Sequence, residues 1–291
     1  MQPLKWDRRP DGLRAPALIC AFEGWNDAGD AASAAVSFLI SALGAERFAE
    51  IDSEEFFDFQ ATRPRIELTA GMAREIVWPS IELFEVRVPR APRDLLLMQG
   101  SEPSMRWRTF VSLVVDLAEA LGVQMVVTLG ALLADIPHSR PVAITGLASD
   151  VTLIERLGLQ DSTYEGPTGI VGVLHSACTK AGLPAASLWA SVPHYVAAAP
   201  NPKATLALVR KLESLVGVSV DASELEQAAI DYERQVGLAV QSDPDVQAFV
   251  ERLEQAAENE PQALSADELP SGDLIARDFQ RFLRQRGRES G

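Results

Sequence analysis

The most constraining feature of this chain is a unit that occurs more than once: a short unbroken apolar run, a polar loop, and then a segment with helical spacing. Residues 17–22 (ALICAF) form the first run. Nothing in it alternates, so as a strand it must be buried on both faces, the situation of parallel strands covered by helices. Glu23-Gly24-Trp25-Asn26-Asp27 follows, and over residues 28–43 small and apolar side chains recur at helical spacing. Asn26 or Asp27 is placed to cap the free N–H groups of that helix's first turn. Residues 94–98 (DLLLM) repeat the pattern, passing through Gly100-Ser101-Glu102-Pro103-Ser104 into a helix over 105–121. A third junction, Tyr164-Glu165-Gly166-Pro167-Thr168-Gly169, opens a helix over 170–180.

Between these units, residues 47–52, 66–68, 76–78 and 83–88 read as shorter strands in a meander, and 125–133, 142–147 and 185–192 as further strands. Pro137 and Pro141 separate two of them and forbid continuous pairing there. A helix over 202–216 closes the series. Strands alternating with helices predict an α/β fold, three-layer α/β/α, with the meander making the sheet mixed. From residue 222 onward no strand is predicted, only polar helices over 222–240, 245–258 and 272–286. The expected division is an α/β/α core at residues 1–220 and an acidic helical C-terminal appendage at 221–291.

Charge narrows the range of partners. The 291 residues carry 41 acidic and 26 basic side chains, a net charge of −15. Such a surface repels nucleic acid and anionic lipid, so neither is expected as a partner. The appendage holds 16 acidic against 7 basic residues, which is −9 of the −15. No apolar run approaches the roughly 20 residues of a membrane span. Residues 1–16 start with positive charge but lack an apolar segment that would direct export. Cys20 and Cys178 sit in apolar contexts as buried thiols, which fits a reducing, cytoplasmic setting.

Candidate site residues lie on the loops expected at the carboxyl ends of the strands, where open α/β sheets bind ligands. Glu23, Asn26, Asp27 and Asp30 could hold Mg²⁺ or supply a general base; equally, they could cap the helix and offset its dipole. Beside Glu102, Arg106 could grip a carboxylate or take part in an ion pair. Glu165, Gly166, Thr168 and Gly169 precede a helix and suggest an anion cradle, although the Walker spacing and lysine are absent and Glu165 would repel phosphate. The competing reading is an ordinary turn. His138 and His194 follow prolines and suit loop-fixing hydrogen bonds or ligand binding, with no i, i+4 pair to mark a zinc site. A G-x-S-x-G elbow is missing. No metal and no cofactor is expected.

Several of these segments together resemble the actinobacterial branch of the proteasome assembly chaperone 2 family. They are AFEGWNDAGDAAS (21–33), DLLLMQGSEPSMRW (94–107), DIPHSRP (135–141), TYEGPTGIVGVLH (163–175), SLWASVPHYVAAAPNPKA (187–204) and LPSGD (269–273). The resemblance implies a phosphorylase/hydrolase-like α/β/α fold and an oligomeric assembly factor or scaffold. Its implied partners are further copies of itself and proteasome subunits or another protein complex. Proteasome-docking relatives end in a hydrophobic-tyrosine motif, whereas this sequence ends Arg288-Glu289-Ser290-Gly291. The alternative is a small-molecule enzyme, a nucleoside- or amide-directed hydrolase or transferase, working from a pocket of Glu23, Asp27, Glu165 and His194.

Overall fold

The structure is a computed structural model, and it describes residues 3–69, 73–149, 166–196 and 199–259. In chain order the strands are β1 (Leu4–Trp6), β2 (Ala17–Glu23), β3 (Glu46–Ile51), β4 (Arg65–Thr69), β5 (Ala73–Val77), β6 (Ile81–Val86), β7 (Leu95–Ser101), β8 (Met125–Ala134), β9 (Ile144–Ala148) and β10 (Ala185–Pro193). The helices are α1 (Ala31–Ala42), α2 (Trp107–Ala120), α3 (Ile170–Lys180), α4 (Pro202–Val216), α5 (Ser223–Gln241) and α6 (Pro244–Asn259).

Eight strands make one sheet in the order β1-β3-β6-β7-β2-β8-β10-β9. The all-apolar runs take its middle: β7, β2, β8 and β10 are mutually parallel. The flanking pairs are antiparallel, on one side through β6, β3 and β1 and on the other through β9. Every residue of β2 except Glu23 is buried, as a strand covered on both faces requires.

Alternation along the central strands builds two cores. Ala17, Ile19 and Ala21 of β2, with Leu95 and Leu97 of β7, face α1 and α4. Leu18, Cys20 and Phe22, with Leu96 and Met98, face α2 and α3. The result is the three-layer α/β/α arrangement expected from the sequence. In α1 the buried positions are Ala31, Ala32, Ala35, Val36 and Leu39, mostly small side chains that bring the helix close to the sheet. Gly100 marks another close approach: a Cβ there would lie 2.3 Å from the Ser80 carbonyl oxygen.

The predicted meander needs correction. β6 is paired on both sides, with β3 and β7, so neither β4 nor β5 finds an open edge there. Among the described residues they pair only with each other, as a separate two-stranded hairpin. Strand β1 was not foreseen, since three residues carry no readable period.

Asp94 is fully buried and ties the approaches to β2 and β7 together. Its carboxylate accepts from the Arg14 backbone N–H at 2.9 Å, the Arg14 guanidinium at 2.8 Å and the Val88 N–H at 3.1 Å. Burial alone would raise its pKa, but the Arg14 and Val88 donors outweigh that and hold it below the usual carboxylate range.

The polar helices predicted over 222–240 and 245–258 appear as α5 and α6. Val236, Val240 and Val250 bury a small core of their own against Tyr195, Val196, Tyr232 and Phe249, at the end of β10. The helix predicted over 272–286 lies outside the described residues. No helix among the described residues is long and apolar enough to cross a membrane.

Candidate functional site

The loop after β2 does not end at the sheet edge; it rejoins β8. The Ala131 N–H donates to the Asn26 carbonyl at 2.8 Å, and Asp27 bridges in parallel to Ala131. This return draws Asn26 and Asp27 into the interior, at 1% and 4% exposure. It also places their side chains at the heads of two helices on opposite faces of the sheet.

Asp27 serves α1. One carboxylate oxygen accepts from the Ala32 N–H at 2.6 Å and the other from the Ser33 N–H at 3.2 Å. Burial pushes its pKa up to about 6, against the lowering effect of the Ser33 and Ala32 donors. Asp30, in left-handed backbone geometry and exposed, stands at the same helix end, where negative charge is favoured by the dipole.

Glu102, on the loop after β7, serves α3. Its Oε1 accepts from the Ile170 N–H at 2.8 Å and from Asn26 Nδ2 at 2.7 Å. Burial raises its pKa, and the bonds from Ile170, Asn26 and the Trp25 N–H oppose the rise. Gly169 is needed for this packing, because a Cβ there would sit 2.3 Å from Asn26 Oδ1. The anion cradle suggested by Gly166, Thr168 and Gly169 is therefore filled from within: the negative group at the head of α3 is the protein's own Glu102. Gly166 and Thr168 are exposed at the rim, and Glu165 lies outside the described residues.

Two more candidates have nearby partners. Glu23 is exposed and accepts from Ser101 Oγ at 3.0 Å. Arg106 caps α2 in left-handed geometry and pairs with Glu55 at 2.6 Å, an exposed ion pair.

His138 and His194 form a second group, around Tyr195 at the ends of β8 and β10. The Tyr195 hydroxyl accepts from the His138 backbone N–H at 2.6 Å and lies 2.8 Å from His138 Nδ1. The phenol thus ties both the backbone and the ring of His138 to the end of β10. Burial, with the Lys203 charge nearby, lowers the His138 pKa and keeps the ring neutral. His194 Nδ1 lies 2.6 Å from Asp135 Oδ1 but out of line for a hydrogen bond. Its ring meets Phe249 edge-on at 5.4 Å and Tyr195 at 6.0 Å. This aromatic cluster seats α6 on the end of the sheet.

Of the two, only the His138 ring makes a hydrogen bond that ties its loop; the His194 ring is held by aromatic contacts. His175, in the middle of α3, like His194 has a buried Nδ1 with no hydrogen-bond partner. Both cysteines are buried, and burial raises the Cys178 thiol to about 11, which makes it a poor nucleophile at neutral pH. Among the described residues no group of three or more His, Cys, Asp or Glu side chains is arranged to hold a metal ion. Tyr195, Lys203 and Asn201 were not singled out from the sequence. Yet Tyr195 holds His138, Lys203 donates to the His138 carbonyl, and Asn201 caps α4 through the Ala204 N–H at 3.0 Å. The aromatic Tyr195 beside Pro193-His194 was the available signal.

Comparison with known proteins agrees with this architecture. The PAC2 family model matches residues 21–240. A Mycobacterium tuberculosis structure described as a proteasome-assembly chaperone homologue, Rv2125, is 46% identical, with a TM-score of 0.75, covering 80% of this chain and 99% of that one. A PAC2 family protein from Streptomyces avermitilis is 51% identical at a TM-score of 0.75, over 81% of this chain and 99% of that one. PbaB of Pyrococcus furiosus, described as an archaeal proteasome activator, is 18% identical at a TM-score of 0.66, over 82% of this chain and 99% of that one, and shares the fold. No curated protein matches.

Proposed function

The chain belongs to the PAC2 family, and from that premise we propose that it is a non-enzymatic assembly factor or scaffold that acts on a protein complex in the cytoplasm. The observation that carries this reading is the 46% identity, over 80% of this chain, to a structure described as a proteasome-assembly chaperone homologue. The site geometry supports it, because the groups best suited to chemistry are engaged within the fold. Asp27 and Glu102 satisfy helix N-termini, and His138 is held in an aromatic cluster. On this reading the molecule works as a homo-oligomer, and its protein partner is proteasome subunits or another defined complex. The core at residues 1–220 supplies the rigid body, and the acidic helical subdomain at 221–291 supplies contacts.

The test is affinity capture of the tagged full chain from its native cytoplasm, with mass spectrometry of what is retained. Enrichment of proteasome subunits or another stoichiometric complex, kept in a Glu23→Gln/His194→Gln variant, supports the reading. Recovery of this chain alone overturns it.

A further inference from the structure

The β4–β5 hairpin is the one place where the described sheet structure leaves a broad apolar face in water. Its register pairs Ile66 with Ile76, Glu67 with Glu75 and Leu68 with Arg74. Strand alternation therefore puts Ile66, Leu68, Ile76 and Arg74 on one face and Arg65, Glu67, Glu75 and Val77 on the other. Trp78, just past β5, continues the first face by the same parity, and its ring packs edge-on against Phe59 at 4.9 Å. The exposures are 64% for Ile66, 69% for Leu68, 54% for Ile76 and 50% for Trp78. A two-stranded hairpin is at best marginally stable by itself, and this one pairs with no other strand among the described residues.

We propose that this face is the contact between copies of the chain, with the hairpin of one subunit lying against the hairpin of a second. The inference rests on the oligomeric assembly factor proposed above and names the surface that builds the oligomer.

Two observations select a second copy as the occupant. The first is area: the four side chains expose on the order of 500 Å² of apolar surface, at the upper end for a monomer's largest patch. Two such faces brought together remove about 1,000 Å², the size at which a protein–protein contact becomes specific. The second is charge. Two chains of net charge −15 repel each other over most of their surface, but residues 63–78 carry three arginines and two glutamates, a local charge of +1. Copies of this acidic chain can approach here without that repulsion. The hairpin also springs from the carboxyl end of β7, since β6 begins opposite Gly100. The core of α5 and α6 lies at the end of β10, which β2 and β8 separate from β7 in the sheet.

The experiment is sedimentation equilibrium of the full chain over a wide concentration range, comparing wild type with Ile66→Glu/Leu68→Glu and with Glu67→Gln on the charged face. The expected result is an oligomeric wild type and an unchanged Glu67→Gln. The paired variant should associate at least about tenfold more weakly, as charges forced into an apolar contact do, with an unaltered circular dichroism spectrum showing that each subunit is still folded. If the paired variant fails to fold, Leu68→Glu alone, at the most exposed of the four positions, replaces it. An oligomeric paired variant overturns the assignment. So does a monomeric wild type, and in that case capture of a complex still decides the assembly reading independently. Capture of a complex by a monomeric wild type, lost on Ile66→Glu/Leu68→Glu, would assign the face to that partner instead.

Discussion

Asp27 is a buried carboxylate whose proton matters to the fold. Its pKa stands at about 6 in the folded chain against an ordinary 3.8. Between those values the unfolded chain loses the proton while the folded chain keeps it, so this group's contribution to stability is full below pH 4 and falls as pH rises to 6. The loss amounts to about 3 kcal/mol from this group, and Glu102, raised in the same direction, adds to it. Chemical denaturation of Asp27→Asn should show a shallower decline across pH 4–6 than wild type; an identical slope would refute the assignment. Glu102→Gln keeps an oxygen for the Ile170 N–H and Asn26 and should stay within about 1 kcal/mol of wild type. Glu102→Ala leaves both donors without a partner and should cost about 2–3 kcal/mol, read by the same titration. The sequence already placed Asp27 at a helix start, because a cap is a local matter of residues a few positions apart. It could not reveal that Glu102 caps α3, because that bond spans 68 residues and exists only once β7 lies beside β2.

At the scale of elements, unbroken apolar runs made the central strands readable, since a strand covered on both faces has no other composition open to it. Helices α3 and α4 fall on their expected bounds for a related reason: Gly169 precedes one and Asn201-Pro202 opens the other. The hairpin was harder. Its short alternating strands look the same whether they join a sheet or stand apart, and only the filled edges of β6 decide between the two. The candidate site residues divide for a topological reason. Loops after β2 and β7 meet over α3, while the histidines follow β8 and β10, His138 lying beside Gly237 of α5 and His194 against Phe249 of α6. Phe249 is the hinge of that second group, touching both His194 and Tyr195. Phe249→Ala should loosen α5 and α6 from the end of β10 at a cost of about 2 kcal/mol. Hydrogen exchange should rise in residues 223–259 and stay unchanged in β2 and β7; a uniform rise would mean that the helical pair and the sheet open as one unit.

Across the whole molecule, charge opposes itself. The net −15 is concentrated so that residues 221–291 hold −9 of it, and α5 and α6 bring much of that charge against a core that is itself acidic. Working against this repulsion are exposed ion pairs such as Arg47 with Asp7, Glu50 and Glu82, and Arg210 with Glu213 and Glu226. Exposed pairs contribute little each, commonly below about 1 kcal/mol, and salt weakens them. Salt also weakens the repulsion, which acts between many more charges and over longer distances, and those longer distances are the first to be screened once the Debye length falls to about 8 Å at physiological ionic strength. The balance therefore favours the salted protein. Raising sodium chloride from about 0.01 M, where the Debye length is about 30 Å, to physiological strength should lift the thermal midpoint by a few degrees and strengthen association of copies. A midpoint that falls instead would mean that the ion pairs, not the net charge, set the electrostatic stability of the fold, and that the acidic helices are held in place by specific pairing.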